Sequence, residues 1–212
     1  MEAASPMSEL LELHPKNPQQ RFVRMAVDVL LDHGVVVYPT DSCYALGCVM
    51  GAKDAMERIQ RIRQTDKHHF FTLVCRDLSE ISRFAKVNNW QYRTLKASTP
   101  GPYTFVLQAT REVPRRLMNE KRRTVGIRVP DHPLVQMLLD EVQVPLMSTT
   151  LLLPGDDLPM TDATEIHERI GHAVDLVLDG GNCGLEPTTV VDLSGDAPLV
   201  LRPGKGDPTP FQ

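Results

Sequence analysis

VVVYPTDSCYALG, residues 35–47, is the stretch from which the fold can be read. Val35, Val36, Val37 and Tyr38 form a β-branched and aromatic run, which predicts a buried strand. Pro39 ends it. Thr40, Asp41 and Ser42 follow directly, then Ala45-Leu46-Gly47, so polar groups stand where the strand leaves the sheet. In α/β folds that is where ligands bind. TPGPYTFVL, residues 99–107, repeats the design: Pro and Gly shape a turn, and the hydroxyl of Thr104 stands beside it at the start of a strand.

Outward from these two phrases, strands alternate with helices. Asn17 reads as an N-cap with Pro18 at the first helical position. Val23, Val27, Leu30 and Leu31 make an apolar stripe ending at His33-Gly34, so a first helix feeds the strand at 35. Ala55, Met56, Ile59 and Ile62 predict a second helix over 52–63. A strand over Phe70–Val74 follows, then helices near 77–85 and 89–98 and strands over Tyr103–Ala109 and Thr124–Val129. Pro133 starts a helix through Val142, and Leu146-Met147-Ser148 reads as a short strand. Asp162 with Glu165 forms a capping box for a helix over 163–170. The late strands 174–178, 188–193 and 198–202 leave no room for helices between them, so some pairings are expected to be antiparallel. The reading is one α/β domain over the whole chain, with a mixed, twisted sheet, helices packed on it, and a loose tail at DPTPFQ.

The 212 residues, 42% of them hydrophobic, can fill one core of that size. No apolar run approaches the roughly 18 residues of a membrane span, and MEAASPMSELLELHP has acids where a signal peptide needs positive charge. A cytoplasmic protein is expected. Cys43, Cys48, Cys75 and Cys183 show no CxxC spacing, which favours reduced thiols over a disulfide framework or zinc site. The net charge of −4 is unevenly spread. Arg111, Arg115, Arg116, Lys121, Arg122, Arg123 and Arg128 face only Glu112 and Glu120, and Arg58, Arg61, Arg63 and Lys67 face only Asp66. Such segregation suits either a cationic face for an anionic ligand or an ordinary solvated surface.

Several motifs carry little chemistry. His167-Glu168 with His172 misses the metalloprotease spacing, because the second His falls at i+5. His68-His69 reads as a loop pair, and Gly180-Gly181 with Gly184 as a turn that lacks a Walker lysine. Four segments carry more. Arg128 lies inside the strand GIRVPDHP, where an Arg needs a partner or an anion. Ser148, Thr149 and Thr150 end one strand in hydroxyls, Thr188 and Thr189 open another, and Arg202, Gly204 and Lys205 close a third. Hydroxyls and rigid Arg forks suit a triphosphate or a carboxylate.

The ordered set YPTDSCYALG, RIR, PGPYTFVL, IRVPDHP, STT, PTTVVDL and LRPG, over about residues 18–208, resembles the YrdC/YciO family, whose characterised members are threonylcarbamoyl-adenylate synthases. The synthases carry KxR where this chain has Arg61-Ile62-Arg63, and SxN where it has Ser148-Thr149-Thr150. These departures, with HPKNPQQR and VPRRLMNEKRRT, resemble the YciO branch. The resemblance implies a nucleotidyl transfer in which L-threonine, bicarbonate and ATP, with Mg²⁺ accompanying the nucleotide, give threonylcarbamoyl-AMP for tRNA modification. It places Thr40, Thr104 and Thr188 at the threonine and carbamate, Arg61 and Arg63 as the cationic pair, Arg128 and Ser148 at the adenylate phosphate, Thr150 in the reacting region, and Arg202 at a nucleotide phosphate. It also implies a second reading, a double-stranded RNA or tRNA binder without chemistry. That reading would use Arg115, Arg116, Lys121, Arg122 and Arg123 as one exposed phosphate-contacting surface.

Overall fold

Val36, Val37 and Tyr38 do form a fully buried strand, and around it the computed structural model, which describes residues 7–65, 71–119 and 121–212, builds one mixed sheet. The elements in chain order are β1 (Glu9–Glu12), α1 (Gln20–Leu31), β2 (Val36–Tyr38), β3 (Ala45–Val49), α2 (Lys53–Arg63), β4 (Thr72–Val74), α3 (Leu78–Phe84) and α4 (Asn89–Ser98). They continue with β5 (Tyr103–Gln108), β6 (Thr124–Arg128), α5 (Pro133–Val142), β7 (Leu146–Thr150), α6 (Ala163–Ile170), β8 (Leu176–Asp179), β9 (Thr189–Asp192) and β10 (Leu199–Arg202). The strands run in the order β1-β8-β2-β3-β7-β4-β6-β5-β9-β10. Parallel pairs (β1/β8, β2/β8, β4/β6, β5/β9) mix with antiparallel ones. His68-His69 and Phe70, the first residue of the expected 70–74 strand, lie outside the described residues.

The helices follow the expected positions, with local corrections. Asn17 does not cap α1; Gln19 takes the N-cap position without a side-chain bond, and the Asn17 N–H bonds His14 Nδ1 at 3.1 Å instead. Pro18 disfavours helical backbone in the residue before it, so the helix starts beyond the proline. Asp162 Oδ1 accepts from the Glu165 N–H at 2.9 Å, while a reciprocal capping box forms at α4 between Asn88 and Gln91. Of the three late strands only β9 and β10 pair antiparallel; β8 lies toward the other edge of the sheet, parallel to both β1 and β2. Two strands were not expected. One is β1. The other is β3, whose Gly47 is poor strand material until its neighbour is seen: a Cβ there would stand 2.6 Å from the Tyr38 ring.

The sheet has two chemically different faces, because successive side chains point to opposite sides. Register lines up Cys48, Met147, Leu73, Ile127, Phe105 and Val191 across six strands, and all are buried core residues. One residue along, the same strands line up Gly47, Ser148, Thr72, Gly126 and Val106. The first row closes the core. The second is small, two glycines and two hydroxyls among its five residues, so it leaves an open trough.

Candidate functional site

That trough is the floor of a cavity of about 540 Å³. Alternate residues of the central strands reach it: Ser148 and Thr150 from β7, Thr72 from β4, Thr124, Gly126 and Arg128 from β6, Thr104 from β5. The turn after β2 supplies Thr40 and Ser42, and the approach to β9 supplies Thr188. Arg63 enters from the end of α2 and Arg202 from β10. Leu158, Leu185 and Leu201, all exposed, form an apolar rim.

Each polar group is held by specific partners. Thr40 is a turn residue: its hydroxyl donates to the Cys43 carbonyl at 2.7 Å and accepts from the Ser42 N–H at 3.1 Å. Tyr38, packed over Gly47, donates its hydroxyl to Ser148 Oγ at 2.8 Å; burial pushes its pKa up to about 12, so it stays a donor. Thr104 and Thr188 share a 2.8 Å hydroxyl–hydroxyl bond. The Arg202 guanidinium donates to the Thr188 carbonyl at 2.9 Å. Gly204 allows that approach, since a Cβ there would lie 2.3 Å from the Pro187 carbonyl oxygen. Arg63 donates to the Thr150 carbonyl, and burial lowers the pKa of both Arg63 and Arg202, though not enough to uncharge a guanidinium.

Arg128 has the partner that its place inside a strand demands. It pairs with Asp41, the two side chains being 10% and 9% exposed, and its Nη1 also reaches Ser42 Oγ at 3.4 Å. Asp41 in turn accepts the Asp131 N–H at 2.9 Å, and its carbonyl accepts from Lys205. Among the described residues the Nε atoms of both Arg63 and Arg128 are buried without a partner, so each retains donor capacity beyond these bonds.

Thr40, Arg63, Thr104, Arg128, Ser148, Thr150, Thr188 and Arg202 therefore meet at one cavity. Arg61 does not. It is exposed and lines a separate depression with Arg58, His172 and Asp175. Residues two apart project from opposite sides of α2, so Arg63 reaches the trough while Arg61 reaches the other depression. The basic tract also divides. Arg122 turns into the trough, bonding Asp192 and, at 3.0 Å, Ser194 Oγ; Arg116 lies 3.5 Å from Glu57; Arg115 and Arg123 border another cavity with Arg111; Lys121 is exposed. All five cations are exposed, but Arg116 and Arg122 each pair with an acidic side chain. Sequence reasoning missed Tyr38 and Thr72 as site builders, although the period-2 alternation of Thr124, Gly126 and Arg128 could have shown which β6 residues face the trough.

A family model for Sua5/YciO/YrdC proteins, described as telomere recombination, matches residues 28–204. This chain belongs to the Sua5/YciO/YrdC family. It is 52% identical to the uncharacterised protein YciO of Escherichia coli over 97% of this chain and 100% of that one, and the crystal structure of E. coli YciO superposes with a TM-score of 0.93. A threonylcarbamoyl-AMP synthase from Serratia proteamaculans is 30% identical over 79% of this chain and 89% of its own length. The crystal structure of P. abyssi Sua5 complexed with L-threonine shares the fold at a TM-score of 0.84 and 24% identity, covering 93% of this chain and 58% of Sua5. Within this family fold, Thr150 stands in the trough while Arg61 stands outside it, so the two departures from the synthase pattern differ in kind. Among the described residues no helix is long and apolar enough to cross a membrane.

Proposed function

We propose that the trough catalyses nucleotidyl transfer from ATP to a carbamate, with L-threonine as the amino acid. The amine of threonine takes up bicarbonate or CO2 to give the carbamate. A carbamate oxygen attacks the α-phosphorus of ATP, the bond to the bridging oxygen breaks, and pyrophosphate leaves as threonylcarbamoyl-AMP forms. The observation that carries this reading is the convergence of Arg63, Arg128 and Arg202 on a hydroxyl-lined floor. Such a site supplies positioning and charge stabilisation, which is what in-line displacement at phosphorus needs. The Thr104–Thr188 hydroxyl pair suits the threonine carboxylate and carbamate, Ser148 and Arg128 suit the α-phosphate, and the apolar rim of Leu158, Leu185 and Leu201 suits a purine. Mg²⁺ would arrive with ATP, held by phosphates and water, since the trough's donors are mostly cations and hydroxyls. The synthase relatives and the threonine complex of a protein with this fold support the choice of amino acid.

The test is pyrophosphate release from ATP with bicarbonate and each amino acid in turn. Release is expected to depend on threonine, to fall by about 10²-fold or more in Arg128→Gln, as for loss of one well-placed donor, and to be unaffected by Arg61→Lys. Thr150→Asn, which restores an amide able both to donate and to accept, is expected to raise it. Release that ignores threonine, or that is unchanged by Arg128→Gln, would overturn the reading.

A further inference from the structure

Outside the trough, the loops after β5 and before β6 enclose two adjoining cavities of about 630 and 250 Å³. Thr110, Arg111 and Arg123 line both; Arg115, with Val113 and Met118 beneath, completes the larger, and Lys86 the smaller. The backbone here is fixed. Ala109 N–H donates to the Arg123 carbonyl at 2.8 Å, Thr110 N–H to the Phe84 carbonyl at 2.9 Å, and Lys86 N–H to the Gln108 carbonyl at 2.8 Å. Four exposed cations thus border these adjoining spaces, and among the described residues no acidic side chain lines either cavity. The neighbouring Glu112 lies 3.7 Å from Arg83, and among the described residues no ion pair involves Lys86, Arg111, Arg115 or Arg123.

Unneutralised guanidiniums around a common space repel one another, and an anion that bridges them removes that repulsion while filling fork-shaped donors. We infer that this cavity is a binding site for a small multivalent phosphoanion, such as pyrophosphate or a short oligophosphate, separate from the ligand of the trough. Within the tract, Arg116 and Arg122 are engaged with Glu57 and Asp192, which interrupts the run of unpaired cations that a nucleic-acid backbone would follow. What remains is compact. Only one turn separates the two sites: Asn119 and Arg122 line the trough, Met118 and Arg123 the second cavity.

Calorimetric titration with sodium pyrophosphate tests this. The wild-type protein is expected to bind in two steps, one at each site. The pair Arg111→Gln with Arg123→Gly is expected to weaken one step by about 10²-fold, roughly tenfold per guanidinium, and to leave the other intact. Arg202→Gln is expected to do the converse. Glycine suits position 123, where φ is +53°, and an unchanged melting temperature verifies folding. Should the double variant not fold, Arg111→Lys keeps the charge but loses the fork, and an affinity drop of several-fold is expected. Pyrophosphate binding unchanged by these variants would overturn the inference. So would an RNA duplex whose affinity falls equally with Arg111→Gln, Arg116→Gln and Lys121→Gln, because the tract would then act as an extended surface.

Discussion

His132 sits beside Asp41, Asp131 and Arg128, just before α5, and its Nδ1 is buried without a hydrogen-bond partner. Burial lowers its pKa from the ordinary 6.5; Asp41 and Asp131 pull the other way without cancelling it, and Arg128 adds to the lowering. The unfolded chain then takes up a proton near pH 6.5 that the folded chain refuses, so stability is lost as pH falls from there toward the folded pKa. Urea midpoints between about pH 7 and pH 5 should therefore decline on the acid side, and His132→Gln, which cannot titrate, should flatten the slope. Equal slopes for both proteins would remove His132 as the cause. At this scale the sequence was informative wherever a residue's demand was local. An Arg inside a strand required a partner, and Asp41 is that partner. The family resemblance implies Arg61 and Arg63 as one cationic pair, whereas the helix turns them toward different cavities.

Among the elements, α5 could be bounded to the residue, because proline opens it and its apolar spacing is clear. The strand β3 could not, since Ala45-Leu46-Gly47 has weak strand propensity and its glycine answers to Tyr38, a contact created only by the β2–β3 pairing. The strand β1 hid for a related reason: its flanking acids Glu9 and Glu12 are exposed edge positions, and only Leu11 is buried. The trough floor depends on a third glycine. A Cβ at Gly126 would meet Thr104 Cγ2 at 3.4 Å and little else, so Gly126→Val should leave the melting temperature unchanged or raise it, as a β-branched residue in a strand. It should also fill the trough. The isopropyl group would occupy space over β6 that a bound nucleotide needs, so ATP affinity measured by calorimetry should fall roughly tenfold or more, about 1.4 kcal/mol. Retained ATP binding with a retained fold would mean that the nucleotide does not lie over β6.

For the whole molecule, Asp41 matters more than its position in a turn suggests. It joins the end of β2 to Arg128 on β6, to the backbone at Asp131 and to Lys205 near the C-terminus. Asp41→Asn leaves Arg128 buried without its counter-charge, a loss of about 3–5 kcal/mol. Guanidinium denaturation should show it as a lowered midpoint, and Asp41→Asn with Arg128→Met should recover part of the loss. A single variant as stable as the wild type would mean that water already solvates Arg128. The two-faced sheet has a further consequence, visible in amide exchange. β7, β4 and β6 are each paired on both sides, so their N–H groups can exchange with deuterium only when the sheet opens, even though half of their side chains face the trough. The slowest-exchanging backbone in the protein should therefore lie directly beneath the trough. Bound ligand should change protection at the rim around Leu158 and Leu185, while the floor exchanges as slowly without ligand as with it.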